Sequence, residues 1–108
     1  MAKSIIQAFT DEERRECFLC RFNHPYEPLT NRGLDKHHFM HGTANRKLAE
    51  KWGLWGYLCK AHHTDGPEAV HNNRENDIFL MQVAQGRFEL LYGHDKWMEV
   101  FGKNYIIG

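Results

Sequence analysis

The sequence predicts a small α+β domain that combines two short strands with several helices. The chain has 108 residues, about the size of one domain, and 42% of them are hydrophobic, which favours a folded globule. "LWGYLC", residues 54–59, is short and aromatic, which is typical of a strand. Residues 73–92 carry apolar side chains at spacings of three and four, which indicates an amphipathic helix. Residues 1–108 are therefore expected to form a single domain.

The N-terminal part is predicted to hold a short helix followed by a pair of cysteines. Thr10 and Glu13 in "FTDEERREC" fit a capping box, so the helix should lead into Cys17. The loop after "CFLC" contains Pro25 and Pro28, which exclude a long helix there.

The middle of the chain is predicted to run strand, helix, strand. "LDKHHFMH" is a candidate strand that ends before Gly42. "GTANRKLAEKWG" is typical of a short helix with Thr43 as N-cap and Gly53 beyond its end. The second strand is residues 54–59 and finishes at Cys59.

Two helices are predicted for the C-terminal part. The helix within 73–92 should end at Gly93, and Gly86 should weaken it by about 1 kcal/mol relative to alanine. Its apolar face is predicted to be Ile78, Met81, Val83 or Ala84, Phe88 and Leu91. The following helix, "HDKWMEVFG", has Asp95 as candidate cap and Trp97, Val100 and Phe101 as inward-facing side chains.

The three cysteines have the spacing of metal ligands, in the pairs Cys17-x-x-Cys20 and Cys59-x-x-His62. Three thiolates and one imidazole can close a tetrahedron around Zn²⁺, and four protein ligands leave no open position, so the ion would be structural. His24 or His63 could replace His62 as the fourth ligand. The other interpretation is that the cysteines pack as small hydrophobic side chains.

Five further histidines could build a second site: His37, His38, His41, His63 and His71. If the strand ending at Cys59 pairs with the strand of His37 and His38, His63 comes close to that pair. Two or three neutral imidazoles with an open coordination position are typical of a catalytic metal site.

"CFLC … LDKHHFMHG … YLCKAHH" resembles the HNH nuclease motif, also called the ββα-metal or His-Me finger. The resemblance covers residues 17–71. It implies a zinc-stapled ββα-metal core over about residues 17–75, made of a two-stranded hairpin plus helix, with an extra N-terminal helix and C-terminal helices over about residues 73–102. "AVHNNREND" and "FGKNYI" are similar to segments of small phage-encoded HNH proteins.

The resemblance also implies a role for each histidine. His37 and His63 would be ligands of the catalytic ion, and His38 would be the general base that deprotonates the attacking water. His71 becomes a third ligand if the turn at Gly66 and Pro67 folds it back, whereas His41 is read as a loop histidine. Asp35 and Asp65 are either oxygen ligands or solvated carboxylates. An all-imidazole site favours Zn²⁺, Ni²⁺ or Mn²⁺ over Mg²⁺.

The implied function is metal-dependent hydrolysis of DNA phosphodiester bonds, leaving a 5′-phosphate and a 3′-hydroxyl. Arg46 and Lys47 are candidate phosphate contacts, although a solvated helix face explains them equally well. The family's middle Asn normally precedes the second strand, where this chain has "GLWGYLC". Asn45 is the local candidate, and it lies at the start of the intervening helix instead.

A second hypothesis is a catalytically silent, zinc-stapled module that binds nucleic acid or a protein. The displaced Asn45 and the net charge of zero support it, whereas a purely structural zinc module needs neither His38 nor His63. A neutral chain would bind duplex DNA with low sequence specificity, so an accessory protein is a further expected partner. The sequence lacks an apolar run of about 20 residues and a signal-peptide core, which predicts a cytoplasmic protein with no membrane partner.

Overall fold

The computed structural model describes residues 3–106 and contains both helices and strands. The mixed helix-and-strand class predicted from the sequence is confirmed. In chain order the regular elements are α1 (Phe18–Asn23), β1 (Leu34–His38), α2 (Thr43–Trp52), β2 (Trp55–Cys59), a π-helical turn (Ala61–Asp65), α3 (Arg74–Tyr92) and α4 (His94–Phe101).

The two strands form an antiparallel pair that places the cysteine and histidine segments side by side. The register runs from Leu34 opposite Cys59 to His38 opposite Trp55. The last residue of β2 therefore lies at the start of β1, and the π-helical turn follows it immediately. Side chains alternate between the two faces of a strand, so the neighbours His37 and His38 leave β1 in different directions.

The loop between the strands is occupied by α2, which glycines delimit at both ends. The prediction of Thr43 as N-cap is wrong, because Gly42 takes that position with a φ of 92° and Thr43 is the first helical residue. A positive φ is easily adopted only by glycine. Gly53 ends the helix as predicted, in the left-handed conformation, with its N–H donating to the carbonyl of Ala49.

The helix predicted between Thr10 and Cys17 is absent from the described chain, and residues 11–14 form a turn instead. The Asp11 carboxylate accepts hydrogen bonds from the backbone N–H groups of Glu13 and Arg14. Such a side-chain contact offers the backbone an alternative to helical hydrogen bonding. The first helix begins later, where the sulfur of Cys17 caps α1 by accepting from the N–H of Cys20.

The long helix α3 starts after Asn73, whose side chain accepts from the N–H of Asn76. Its buried apolar residues are Leu80, Met81, Ala84 and Phe88. The prediction that Leu91 faces the core is wrong, since this side chain is 61% exposed. In the last turn of α3, Tyr92 packs against Trp52, whereas Leu91 points away from the core.

The short helix α4 closes the core from the C-terminal side. Gly93 precedes it, so Asp95 lies in the first turn and does not act as the predicted side-chain cap. Trp97 is fully buried, stacks on Phe101 with 4.2 Å between ring centroids, and donates from its indole to the carbonyl of Lys103. Val100 and Phe101 are partly buried against the core, as predicted.

One hydrophobic core joins the sheet to the helices and anchors the segment that follows β1. Phe39 and Met40 come directly after the histidine pair and are fully buried beside Leu54, Leu58 and Leu80. Because such packed residues tolerate little displacement, His37, His38 and His41 are held by a fixed backbone. Within residues 3–106, each helix is too short or too polar to cross a membrane.

Candidate metal centres

The first candidate centre is the cluster of Cys17, Cys20, Cys59 and His62, whose ligand atoms are close enough together to hold one metal ion. The sulfurs of Cys20 and Cys59 are 3.7 Å apart. Nδ1 of His62 lies 3.4 Å from the sulfur of Cys17 and 3.3 Å from the other two. Tetrahedral Zn²⁺ with ordinary bond lengths would place two sulfurs about 3.8 Å apart, and a sulfur and a nitrogen about 3.6 Å apart.

The four ligands come from three elements of the fold. Cys17 and Cys20 belong to the start of α1, Cys59 ends β2 and His62 lies in the π-helical turn. The two other histidines considered as fourth ligand face elsewhere. His24 lies 3.5 Å from the Glu27 carboxylate, and His63 contacts Asp35.

The electrostatics of this cluster fit a bound cation. Burial raises the pKa of the Cys17 thiol, and burial together with the neighbouring Cys17 and Cys59 sulfurs raises the pKa of Cys20 to about 12. Burial also lowers the pKa of His62, which keeps its imidazole neutral and able to bind a metal. With these raised pKa values the sulfurs ionise together only beside a positive charge, and sulfur with imidazole is a donor set that Zn²⁺ prefers.

The second candidate centre is formed by His37, His63 and His71, which also offer ligand atoms within 4.8 Å of one another. His37 lies on β1 and His63 on the π-helical turn. The segment after that turn folds back, with the N–H of Val70 donating to the carbonyl of His62. This brings Nε2 of His71 to 3.2 Å from Nε2 of His63.

His37 has the environment of a metal ligand rather than of a solvated histidine. Its side chain is only 4% exposed, and its Nε2 is the one buried side-chain polar atom among residues 3–106 that has no hydrogen-bond partner. Burial, and then the nearby His41 and His63, lower its pKa to about 3. A neutral ring with an unpaired buried nitrogen costs free energy unless a partner satisfies it, and a metal ion is such a partner.

His63 is oriented by a carboxylate that the sequence did not assign to this role. Its Nδ1 lies 3.0 Å from Asp35, and Asp35 also accepts hydrogen bonds of 2.7 and 2.8 Å from Lys60. The hydrogen bonds from Lys60 and His63 lower the pKa of Asp35. Because Nδ1 is engaged, Nε2 of His63 is left for a metal, in the carboxylate–histidine arrangement common around metal sites. Asp65 accepts from the Thr64 hydroxyl instead.

His38 is paired with Glu50, which lies on α2 and belongs to none of the motifs found in the sequence. Nε2 of His38 is 2.6 Å from one carboxylate oxygen, and Lys36 donates to the other at 2.8 Å. Burial alone would raise the pKa of Glu50, but the hydrogen bonds from Lys36 and His38 outweigh it and lower that pKa. A carboxylate only accepts hydrogen bonds, so Nε2 carries the proton and Nδ1 has the free lone pair.

An open cleft of about 360 Å³ joins His38 to the second centre. Its lining includes the side chains of Lys36, His37, His38, His41, Arg46, His63 and His71. Of the residues predicted to contact phosphate, Arg46 lines this cleft, whereas Lys47 is exposed on α2 outside it. Asn45 lies in the first turn of α2 and is likewise outside the lining.

His41, read from the sequence as a loop histidine, also lies in this cleft. Its Nε2 contacts Oδ1 of Asp77 on α3, and its ring centroid is 5.6 Å from that of His37. The sequence carried one indication of this contact. Asp77 occupies a position that continues the apolar face of α3, four residues before Met81, where a charged side chain needs a partner.

Comparison of the chain with protein-family models, with curated proteins and with solved structures finds no match. The two clusters and the cleft are therefore the features of this chain that bear on its function.

Proposed function

We propose that the protein is a metal-dependent endonuclease of the HNH type that hydrolyses phosphodiester bonds in DNA. The observation that carries this proposal is the shared cleft, in which three imidazoles grouped as metal ligands adjoin His38. A general base next to an electropositive centre is the arrangement that phosphodiester hydrolysis requires.

The ligands proposed for the catalytic ion are His37, His63 and His71. A divalent ion held by them would supply positive charge to a phosphate oxygen and to the departing oxygen. Nitrogen ligands suit Ni²⁺ and Zn²⁺ better than Mn²⁺, and Mg²⁺ is the least suited of the four candidates.

His38 is the proposed general base, acting through Nδ1. It accepts a proton from water as the water oxygen forms a bond to phosphorus and the bond from phosphorus to the 3′ oxygen breaks. The 3′ oxygen takes up a proton from solvent, which leaves a 3′-hydroxyl and a 5′-phosphate. Glu50 keeps the proton on Nε2 and stabilises the imidazolium that forms.

Arg46 is the proposed phosphate contact beside the reacting centre. It lines the cleft, and a guanidinium suits phosphate geometry. Lys36 lines the cleft too, but its ammonium donates to Glu50 and lies 4.2 Å from the Trp55 ring centroid. With a net charge of zero, we expect weak, salt-sensitive binding of duplex DNA without much sequence preference, aided by an accessory protein.

The cluster of Cys17, Cys20, Cys59 and His62 is proposed to hold a structural Zn²⁺. Its sulfur-rich, fully protein-derived donor set supports a closed site. We also propose that this nuclease is a cytoplasmic, phage-type protein without a membrane partner.

The test is cleavage of supercoiled plasmid by the zinc-loaded protein with added Mg²⁺, Mn²⁺, Ni²⁺ or Zn²⁺. We expect nicking that depends on the metal and that falls by about 10²–10⁴-fold in His38→Ala, the usual contribution of a general base. His94→Ala is the matched control, because His94 is an exposed histidine on α4 that contacts Glu89. Circular dichroism and zinc content verify that both variants are folded.

The second candidate function is a catalytically silent module that binds nucleic acid or protein. The position of Asn45, outside the cleft lining, favours it. Cleavage that is absent with every metal, or equal in wild type and His38→Ala, would overturn the nuclease and leave this module.

A further inference from the structure

The contact between His41 and Asp77 gives the cleft a second group of metal-ligand atoms. His37, His41 and Asp77 each offer one such atom, and these atoms lie within 4.8 Å of one another. Asp77 is 8% exposed, so its carboxylate is nearly removed from solvent. A buried carboxylate is costly unless it is paired or coordinates a metal.

The two groups cannot be filled independently, because both include His37. A neutral imidazole has one nitrogen with a free lone pair and can bind one cation through it. The buried Nε2 of His37 lacks a hydrogen-bond partner, which indicates that this nitrogen is available to bind an ion. An ion bound by His37, His63 and His71 would occupy the free lone pair of His37. His37 could then not bind a second ion together with His41 and Asp77.

The two groups also differ in the ions that they suit. His37, His63 and His71 offer nitrogen only, whereas the second group includes a carboxylate oxygen. Oxygen donors favour harder ions such as Mn²⁺, and imidazoles favour Ni²⁺.

We propose that His37, His41 and Asp77 form an alternative cation position selective for Mn²⁺, next to the three-histidine position, which selects Ni²⁺. The cleft then holds one exchangeable ion at a time, and the identity of the ion determines which residues bind it. This inference rests on the proposed role of His37 as ligand of the nuclease's cation. It concerns binding, however, and is tested without nucleic acid.

The experiment measures ion binding to zinc-loaded protein, with Mn²⁺ followed by electron paramagnetic resonance and Ni²⁺ by calorimetry. Asp77→Asn should weaken Mn²⁺ binding by at least about tenfold, since even the loss of an outer-shell partner costs that much. The same variant should change Ni²⁺ affinity by less than about threefold, and His71→Ala should show the opposite pattern. Ni²⁺ should displace Mn²⁺ from the wild type.

His41→Ala provides a second variant on the more exposed side of this contact, since the His41 side chain is 43% exposed and that of Asp77 is 12% exposed. It should weaken Mn²⁺ binding as Asp77→Asn does. Retained zinc content shows that Ni²⁺ has not entered the cysteine cluster. The proposal is overturned if Asp77→Asn leaves Mn²⁺ affinity unchanged, if it weakens both ions equally, or if Mn²⁺ and Ni²⁺ bind together. No cleavage is measured in this experiment, so a catalytically silent module would give the same binding results as a nuclease. The failure of the alternative cation position can therefore be distinguished from the failure of the proposed nuclease function.

Discussion

Glu50 holds the proton of His38 on Nε2, which leaves the lone pair of Nδ1 free. Its carboxylate accepts from Nε2 at 2.6 Å, and Lys36 fixes the other carboxylate oxygen. The HNH motif normally contains an Asn near the second strand, and this chain has none in that stretch. We infer that the carboxylate on α2 takes over part of the positioning that the motif assigns to Asn.

Glu50→Gln should therefore lower kcat for plasmid nicking while leaving KM for DNA little changed. A glutamine amide can donate to the ring as well as accept, so both His38 tautomers become populated and a smaller fraction has Nδ1 free. The loss should be smaller than the about 10²–10⁴-fold loss expected for removal of the base itself. Steady-state kinetics at several DNA concentrations separate the two constants.

Glu99→Gln is the matched control, because Glu99 is an exposed glutamate on α4 that pairs with Lys96. It should leave both constants unchanged. An unchanged kcat in Glu50→Gln, or a rise in KM alone, would contradict the positioning role.

At this scale the sequence predicted the residues whose partners are close along the chain. Cys17 and Cys20, or Cys59 and His62, are three residues apart, so their spacing is visible as a motif. Glu50 lies 12 residues from His38, and Asp77 lies 36 residues from His41. Contacts at such separations depend on how elements pack, so the sequence shows at most that a charge on an apolar helix face, such as Asp77, needs a partner, and not which residue that partner is.

Among the elements, α2 depends on Gly53, the glycine at its C-terminal end. Gly53 has a φ of 74°, and a Cβ built on it would overlap the carbonyl oxygen of Lys3. The carbonyl of Gly53 in turn accepts from the N–H of Ile5 at 2.8 Å. The residue therefore serves both the helix end and the attachment of the N-terminal segment.

Gly53→Ala should lower the free energy of unfolding by about 2 kcal/mol or more, because the left-handed conformation and the overlap each cost about 1 kcal/mol or more. Urea denaturation of the zinc-loaded protein measures the change. A loss below about 0.5 kcal/mol, the size usual for a surface substitution, would show that the segment at Lys3 does not pack on α2.

Gly86→Ala is the same substitution in a different setting and should have the opposite effect. Gly86 lies inside α3, and a Cβ there has no heavy atom within 4 Å. Alanine should raise the free energy of unfolding by about 0.5–1 kcal/mol, since glycine is the more flexible residue in a helix. A decrease in the same urea titration would contradict the open environment of this position.

The elements predicted best were those with strong local patterns. β2 and α3 were recognised from aromatic content and apolar periodicity, and both are in the structure. The caps were predicted less well, since glycines precede α2 and α4 where Thr43 and Asp95 were expected. Glycine has no side chain that would mark it as a helix cap. The residue that precedes the first helical residue is determined by the conformation of the incoming loop.

For the whole molecule, the cysteine cluster connects α1 to the sheet. It joins the start of α1 to the end of β2 and to the π-helical turn that carries His63. A chain of 108 residues has a small core. The proposed Zn²⁺ in this cluster would therefore stabilise the backbone that presents His63 to the cleft.

Removal of Zn²⁺ by a chelator should unfold the domain, because structural Zn²⁺ contributes about 10–16 kcal/mol in small zinc domains and a whole domain is stable by about 5–15 kcal/mol. Far-UV circular dichroism, with the fluorescence of the three tryptophans, should report the loss of structure and its return on adding Zn²⁺. Cys59→Ser should retain less than one zinc per chain and melt at a lower temperature. His71→Ala, which alters only the second centre, should keep its zinc and its Tm. A chelated protein that melts cooperatively at the wild-type Tm would show instead that the hydrophobic core alone holds α1 against the sheet.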